Sequence, residues 1–177
     1  SLFESTIEGM IANGENPENV IMLGASWLYA YDKAFDKDTL EHLKEKFTDY
    51  ADVMDAISKA TVVLGSEEND ELTGTAGREI IFGDLGDDTI HGGAGNDTLF
   101  GGKGNDTLYG GYGNDKYIFN AGDGYDIINE DNSNSAADSI VFGAGIEPDD
   151  IKVIREGNDM ILNIGTEGDS IRLVKQY

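Results

Sequence analysis

The chain has 177 residues, room for one domain or a small domain with an appendage. Asp and Glu number 35 against 12 Lys and Arg, a formal charge of −23 that repels nucleic acid and anionic membranes and attracts cations. With no cysteine, disulfides and thiolate zinc sites are excluded, and no apolar run approaches the ~20 residues of a membrane-spanning helix. Hydrophobic residues make up only 39%, whereas glycine reaches 24 residues with just two prolines. That glycine recurs in period, which argues for ordered tight turns rather than low-complexity disorder. The start at Ser1 shows neither Met nor a basic-then-apolar leader, so the chain is expected to be a piece of something longer.

Residues 1–64 read as a helical lead-in. Leu2, Phe3, Ile7, Met10 and Ile11 fall at helical spacing, and Asn13-Gly14 closes the segment. Asn16-Pro17 then reads as an N-cap with proline at the first helical position. A further start signal, Asp38-Thr39-Leu40-Glu41, precedes Leu40, Leu43, Phe47, Tyr50, Met54 and Ile57, one apolar stripe on an amphipathic helix. The β-branched run Thr61-Val62-Val63-Leu64 ends the helical pattern. These helices are expected to cover the first open edge of the region beyond Leu64, because a bare terminal edge exposes unpaired backbone.

Residues 65–128 are a repeat of nine. Glycine opens each unit at Gly65, Gly74, Gly83, Gly92, Gly101 and Gly110. An acid stands five places later, at Asp70, Glu79, Asp88, Asp97, Asp106 and Asp115. An apolar residue comes two places on, at Leu72, Ile81, Ile90, Leu99, Leu108 and Tyr117. Each unit divides into a six-residue turn and a three-residue strand with its middle residue inward. Such strands cannot stand alone; two units make one coil, and stacked coils bury an apolar column. Turns 18 residues apart then overlie one another, with Asp70, Asp88 and Asp106 on one edge and Glu79, Asp97 and Asp115 on the other.

Carboxylates stacked ~4.8 Å apart repel unless neutralised. Calcium suits them, because it takes six to eight oxygens in flexible geometry and two stacked turns offer two carboxylates and about four carbonyls. Magnesium wants fewer ligands, and transition metals want the imidazole and thiolate these turns lack. A displaced seventh copy, AGDGYDII, adds Asp126, 11 residues beyond Asp115. Candidate calcium ligands are therefore the carboxylates of Asp70, Asp88, Asp97, Asp106, Asp115 and Asp126. The candidate carbonyls are those of Gly83, Leu85, Gly86, Gly92, Ala94, Gly95, Gly101, Lys103, Gly104, Gly110, Tyr112 and Gly113. Hairpin-turn chemistry alone would explain one Gly-Asn-Asp, but hardly six nonapeptide units in one register, three of them with Gly-Asn-Asp.

The copies GGAGNDTLF, GGKGNDTLY and GGYGNDKYI resemble the nonapeptide of RTX (repeats-in-toxin), or hemolysin-type, calcium-binding proteins. The resemblance implies a mainly β chain: a parallel β-roll, or two-sided β-helix, with about three to five Ca²⁺ ions in its turns. It further implies a monomer that leaves a Gram-negative bacterium unfolded through a type I secretion apparatus and folds on external calcium, in the medium or at the cell surface. Two copies depart from the pattern: GSEENDELT has Glu68 where the turn wants glycine, and GTAGREIIF has Glu79 for Asp. The implied parent is a toxin, adhesin or exoenzyme. An adhesive module for polysaccharide or a host-cell surface is one alternative reading, and a non-catalytic accessory domain of a secreted hydrolase or epimerase is another.

Residues 129–177 read as a β-rich cap. Asp138–Phe142 alternates as a strand, Glu147-Pro148-Asp149-Asp150 as a turn or one helical turn, and Ile151–Ile164 as a hairpin about Gly157. A second turn, Gly165 to Asp169, leads into Ser170–Val174. This portion resembles the segment that often comes after hemolysin-type repeats, and Tyr177 ends it before the C-terminal secretion signal of that family. No catalytic motif is present: Gly24–Leu28 lacks the second glycine of a nucleophile elbow, and there is no H-E-x-x-H. His42 and His91 read as surface or packing residues, as does Trp27. The outward aromatics Phe100, Tyr109 and Tyr112 are expected to be exposed.

Overall fold

A computed structural model describes residues 61–130, 137–143, 145–165 and 168–174. The helices expected before Thr61 lie outside the described residues. The strands are β1 (Thr61–Leu64), β2 (Glu71–Thr73), β3 (Glu79–Leu85), β4 (Thr89–Ala94), β5 (Thr98–Lys103) and β6 (Thr107–Tyr112). They continue as β7 (Lys116–Phe119), β8 (Tyr125–Asn129), β9 (Ser139–Phe142), β10 (Ile151–Glu156), β11 (Asp159–Ile164) and β12 (Asp169–Val174). The chain is a parallel β-solenoid of about four turns.

The nine-residue period sends alternate strands to opposite walls. One sheet runs β1-β3-β5-β7-β9 and the other β10-β11-β12-β8-β6-β4-β2. Register obeys the repeat, with Ile80 opposite Thr98 and Thr89 opposite Thr107. β2 has the three residues expected, but the later strands exceed them: β4, β5 and β6 each have six. The first residues of the next turn stay in the ladder, as Gly93 opposite Gly111 and Ala94 opposite Tyr112 show.

Between the walls lies the column that the eighth places supply. Ile81, Leu99 and Tyr117 from one sheet meet Ile90, Leu108 and Ile128 from the other. Each buried aliphatic side chain contributes about 2 kcal/mol. The outward faces differ. Ile80, Phe82, Phe100 and Ile118 are buried, and Phe82 and Phe100 stack with ring centroids 4.4 Å apart. The expected exposure of Phe100 is thus corrected: its ring lies on Phe82 and is 1% exposed, although the same in-register stacking leaves His91 and Tyr109 half-buried. On the other sheet His91 stacks on half-buried Tyr109 at 4.5 Å, and Tyr112 is exposed.

The last strands extend the second sheet. β12 pairs parallel with β8, and β10–β11–β12 is an antiparallel meander. Pro148–Asp150 forms a single 3-10 turn before it. Arg172 joins the meander by 2.9 Å ion pairs to Asp159 and Glu156.

Candidate metal centre

The turns stack along the two edges where the sheets meet, and their acids fall into register. The Asp70 amide donates to Asp88 Oδ1, Asp88 to Asp106 and Asp106 to Asp126, at 2.8, 2.8 and 3.1 Å. On the other edge the Glu79 amide donates to Asp97 and Asp97 to Asp115, both at 2.8 Å, and Asp115 donates to Asp138 Oδ1 at 2.9 Å. Each carboxylate thus spends one oxygen on the coil before it.

The second oxygen is where the turns become a site. Oδ2 of Asp88, Asp97, Asp106 and Asp115 is buried with no hydrogen-bond partner. Such an oxygen costs its full desolvation energy unless something neutralises it. Carbonyls converge on the same spaces. A side chain at Gly83 would collide with Asp88 Oδ2 and the Gly101 carbonyl, and one at Gly92 with Asp97 Oδ2 and the Gly110 carbonyl. Among the described residues no three acidic or imidazole side chains are grouped to hold a metal by themselves. A cation here must share carboxylate with backbone oxygen, the hard, mixed donor set that calcium takes.

Protonation gives the same reading. Burial raises Asp88 and Asp97 to about 6 and Asp106 to about 7. Asp115 is raised for the same reason. Asp126 is pushed to about 9, by burial first and then by the charge of Asp106. Without a cation each of these groups holds its proton to a higher pH than a free carboxylate does.

Of the carbonyl candidates, those of Gly101 and Gly110 face an unpartnered Oδ2 directly. Lys103 and Tyr112 carbonyls accept the Gly86 and Gly95 amides, at 3.0 and 2.7 Å. The Leu85 and Ala94 amides donate back to the Ser66 and Thr75 carbonyls. Gly86, Gly95, Gly104 and Gly113 take positive φ, and so do the second places Asp84, Gly93, Gly102 and Gly111. Asp70 differs: its Oδ2 is already held by Ser66.

Several acids of the site were missed in the sequence. Asp138 closes the second edge 23 residues after Asp115, and its signal is the acid-x-apolar spacing to Ile140 that the intervening insertion disguises. Buried Asp123 accepts the Asn120 amide at 2.7 Å, and Asp169 accepts that of Gly122 at 2.7 Å, so both crowd Asp126. At the last turn of the second edge the Tyr117 phenol donates to Glu130 Oε1, and burial raises Glu130 to about 7. A side chain at Gly110 would meet Tyr117 Oη beside Asp115 Oδ2, where earlier turns present a carbonyl.

Stacked, carboxylate-lined turns on a parallel roll define a cation-binding solenoid. The RTX calcium-binding nonapeptide repeat matches residues 64–99 and 91–128. The AlgE6R3 subunit of the Azotobacter vinelandii mannuronan C5-epimerase is 30% identical over 65% of this chain and 75% of that one, with a TM-score of 0.48. The AlgE6R2 subunit of the same enzyme is 26% identical over 65% of this chain and 84% of that one, with a TM-score of 0.50. No curated protein matches the chain. Residues 64–128 are RTX calcium-binding nonapeptide repeats.

Proposed function

We propose that this chain is a calcium-driven folding module of a larger secreted protein, exported unfolded by type I secretion and folded by external calcium. The observation that carries it is the set of four buried, unpartnered Oδ2 atoms, at Asp88, Asp97, Asp106 and Asp115. One ion at each gives four, held by Asp88 with Asp106, Asp97 with Asp115, Asp106 with Asp126, and Asp115 with Asp138. The bound ions supply the positive charge that offsets carboxylate burial. Everything else is the chain's own work: glycines clear the space, the ladder fixes the spacing, and the eighth-place column holds the walls.

Linkage supplies the switch. A ligand that binds only the folded roll contributes about 2.7 kcal/mol per site at 100 times its dissociation constant. Extracellular calcium modules bind at ~10⁻⁴ to 10⁻³ M, so cytosolic calcium leaves such a chain unfolded and external calcium folds it. Circular dichroism over a calcium titration tests this. A coil spectrum in chelator that turns β-rich with calcium is the expected result; a β-rich spectrum indifferent to chelator would sink it.

A second reading concerns the parent protein. Resemblance to the AlgE6R2 subunit favours an accessory, non-catalytic module beside an enzyme acting on polysaccharide, as that subunit belongs to a mannuronan epimerase. Binding of mannuronan oligomers to the calcium-loaded chain would support it, and no binding at millimolar oligomer would count against it.

A further inference from the structure

The six repeat turns fall into two conformational classes, and the dividing residue is the second place. In the turns opening at Gly83, Gly92, Gly101 and Gly110 that place, Asp84, Gly93, Gly102 or Gly111, has φ between 84° and 107°. Their fourth-place glycines, Gly86, Gly95, Gly104 and Gly113, are also at positive φ. In the first two turns neither Ser66 nor Glu68, and neither Thr75 nor Gly77, is among the positive-φ residues.

Those two turns close on themselves. The Ser66 amide and hydroxyl both donate to Asp70 Oδ2, at 2.7 and 2.8 Å. The Thr75 amide donates to Glu79 Oε2 at 3.0 Å and its hydroxyl to Glu79 Oε1 at 2.7 Å. Each hydroxyl oxygen in turn accepts the fourth-place amide, from Glu68 at 3.3 Å and Gly77 at 3.2 Å. A hydroxyl thus meets the acid that an ion meets in the later turns.

Two internal controls isolate the cause. Gly77 is glycine at the fourth place, yet its turn is of the closed class, so a missing fourth glycine is not what closes a turn. Asp84 is not glycine at the second place, yet its turn is of the open class, so a second glycine is not what opens one. What the two closed turns share, besides their place at the start of the stack, is a hydroxyl at the second place.

Resting on the four-ion reading above, we infer that Ser66 and Thr75 are latches that exclude calcium from the first two turns. The first coil then closes without the ion and offers β3 and β4 a ready edge at which the calcium-dependent coils begin. β1 and β2 already pair with those strands in full register.

Native mass spectrometry of the full chain at saturating calcium tests the latch. Wild type takes four ions; Thr75→Gly with Glu79→Asp takes five, and adding Ser66→Gly with Glu68→Gly gives six. Wild type taking six would overturn the inference, as would a folded variant that stays at four. Thr75→Val supplies a readout free of ion counting. It keeps the branched shape but removes the hydroxyl that accepts the Gly77 amide, and speeds amide exchange at residue 77 about tenfold in calcium. Unchanged exchange there would overturn the latch. Failure of the four-ion reading looks different: wild type would take no calcium, and Asp97→Asn would change nothing.

Discussion

A buried carboxylate with one oxygen satisfied and the other not is an unfinished interaction, and four of them, Asp88 and Asp106 on one edge and Asp97 and Asp115 on the other, decide how this molecule behaves. Asp88, Asp97, Asp106 and Asp126 stand at about 6, 6, 7 and 9, against an ordinary value near 3.8. The folded, calcium-free roll therefore holds more protons than the unfolded chain. Its stability is fully present below the unfolded value and is lost as pH rises through about 6 to 9. In chelator, then, the β-rich circular dichroism signal should be weak at pH 8 and recover on acidification to pH 4; a signal that falls on acidification would contradict this. Because Asp106 and Asp126 keep protons near neutrality, calcium must displace them. Calorimetry at pH 7 in buffers of different ionisation enthalpy should show proton release on binding. Asp106→Asn should remove at least one ion, whereas Asp149→Asn, in an exposed 3-10 turn, should remove none. The sixth-place acids were legible because each is flanked by glycine and an apolar residue at fixed spacing. Asp138, Asp123 and Glu130 were not, since each reaches the site through an insertion or a loop that breaks the period.

Strand and turn are inseparable at the scale of the element. The sequence period announces alternate walls, inward eighth places and overlying turns, and the ladder places all three accordingly. It understates strand length, because hydrogen bonding continues into the turn glycines. Nor does it reveal that Phe82, Phe100 and Ile118 are buried although they face away from the roll interior. Ninth-place composition varies too much to show a second apolar face, and only the register of Phe82 with Phe100 exposes it. Leu99, wholly buried at the centre of the column, is the packing test. Leu99→Ala should cost about 2–5 kcal/mol in denaturant titration with calcium present. Gly95→Ala tests the turn. At φ 127°, with the Gly77 carbonyl against any added carbon, alanine should distort the stack and weaken calcium binding on that edge first. Calcium affinity equal to wild type would show that the close approach is dispensable.

For the whole molecule, charge and fold oppose each other until cations arrive. A formal charge of −23 favours the expanded chain, and four divalent ions remove about a third of it. Magnesium should not substitute at equal concentration, because it demands a small octahedral shell and keeps its water. No helix among the described residues is long and apolar enough to cross a membrane. The central claim is that calcium, and not packing alone, holds the coils from Gly83 to Ser139 together. Hydrogen exchange read peptide by peptide at pH 7.4, with calcium and then with chelator, tests it most directly. Strong protection from Gly83 through Asn129 in calcium, falling to unfolded-chain rates in chelator, is the predicted result. Protection that persists unchanged in chelator would contradict it.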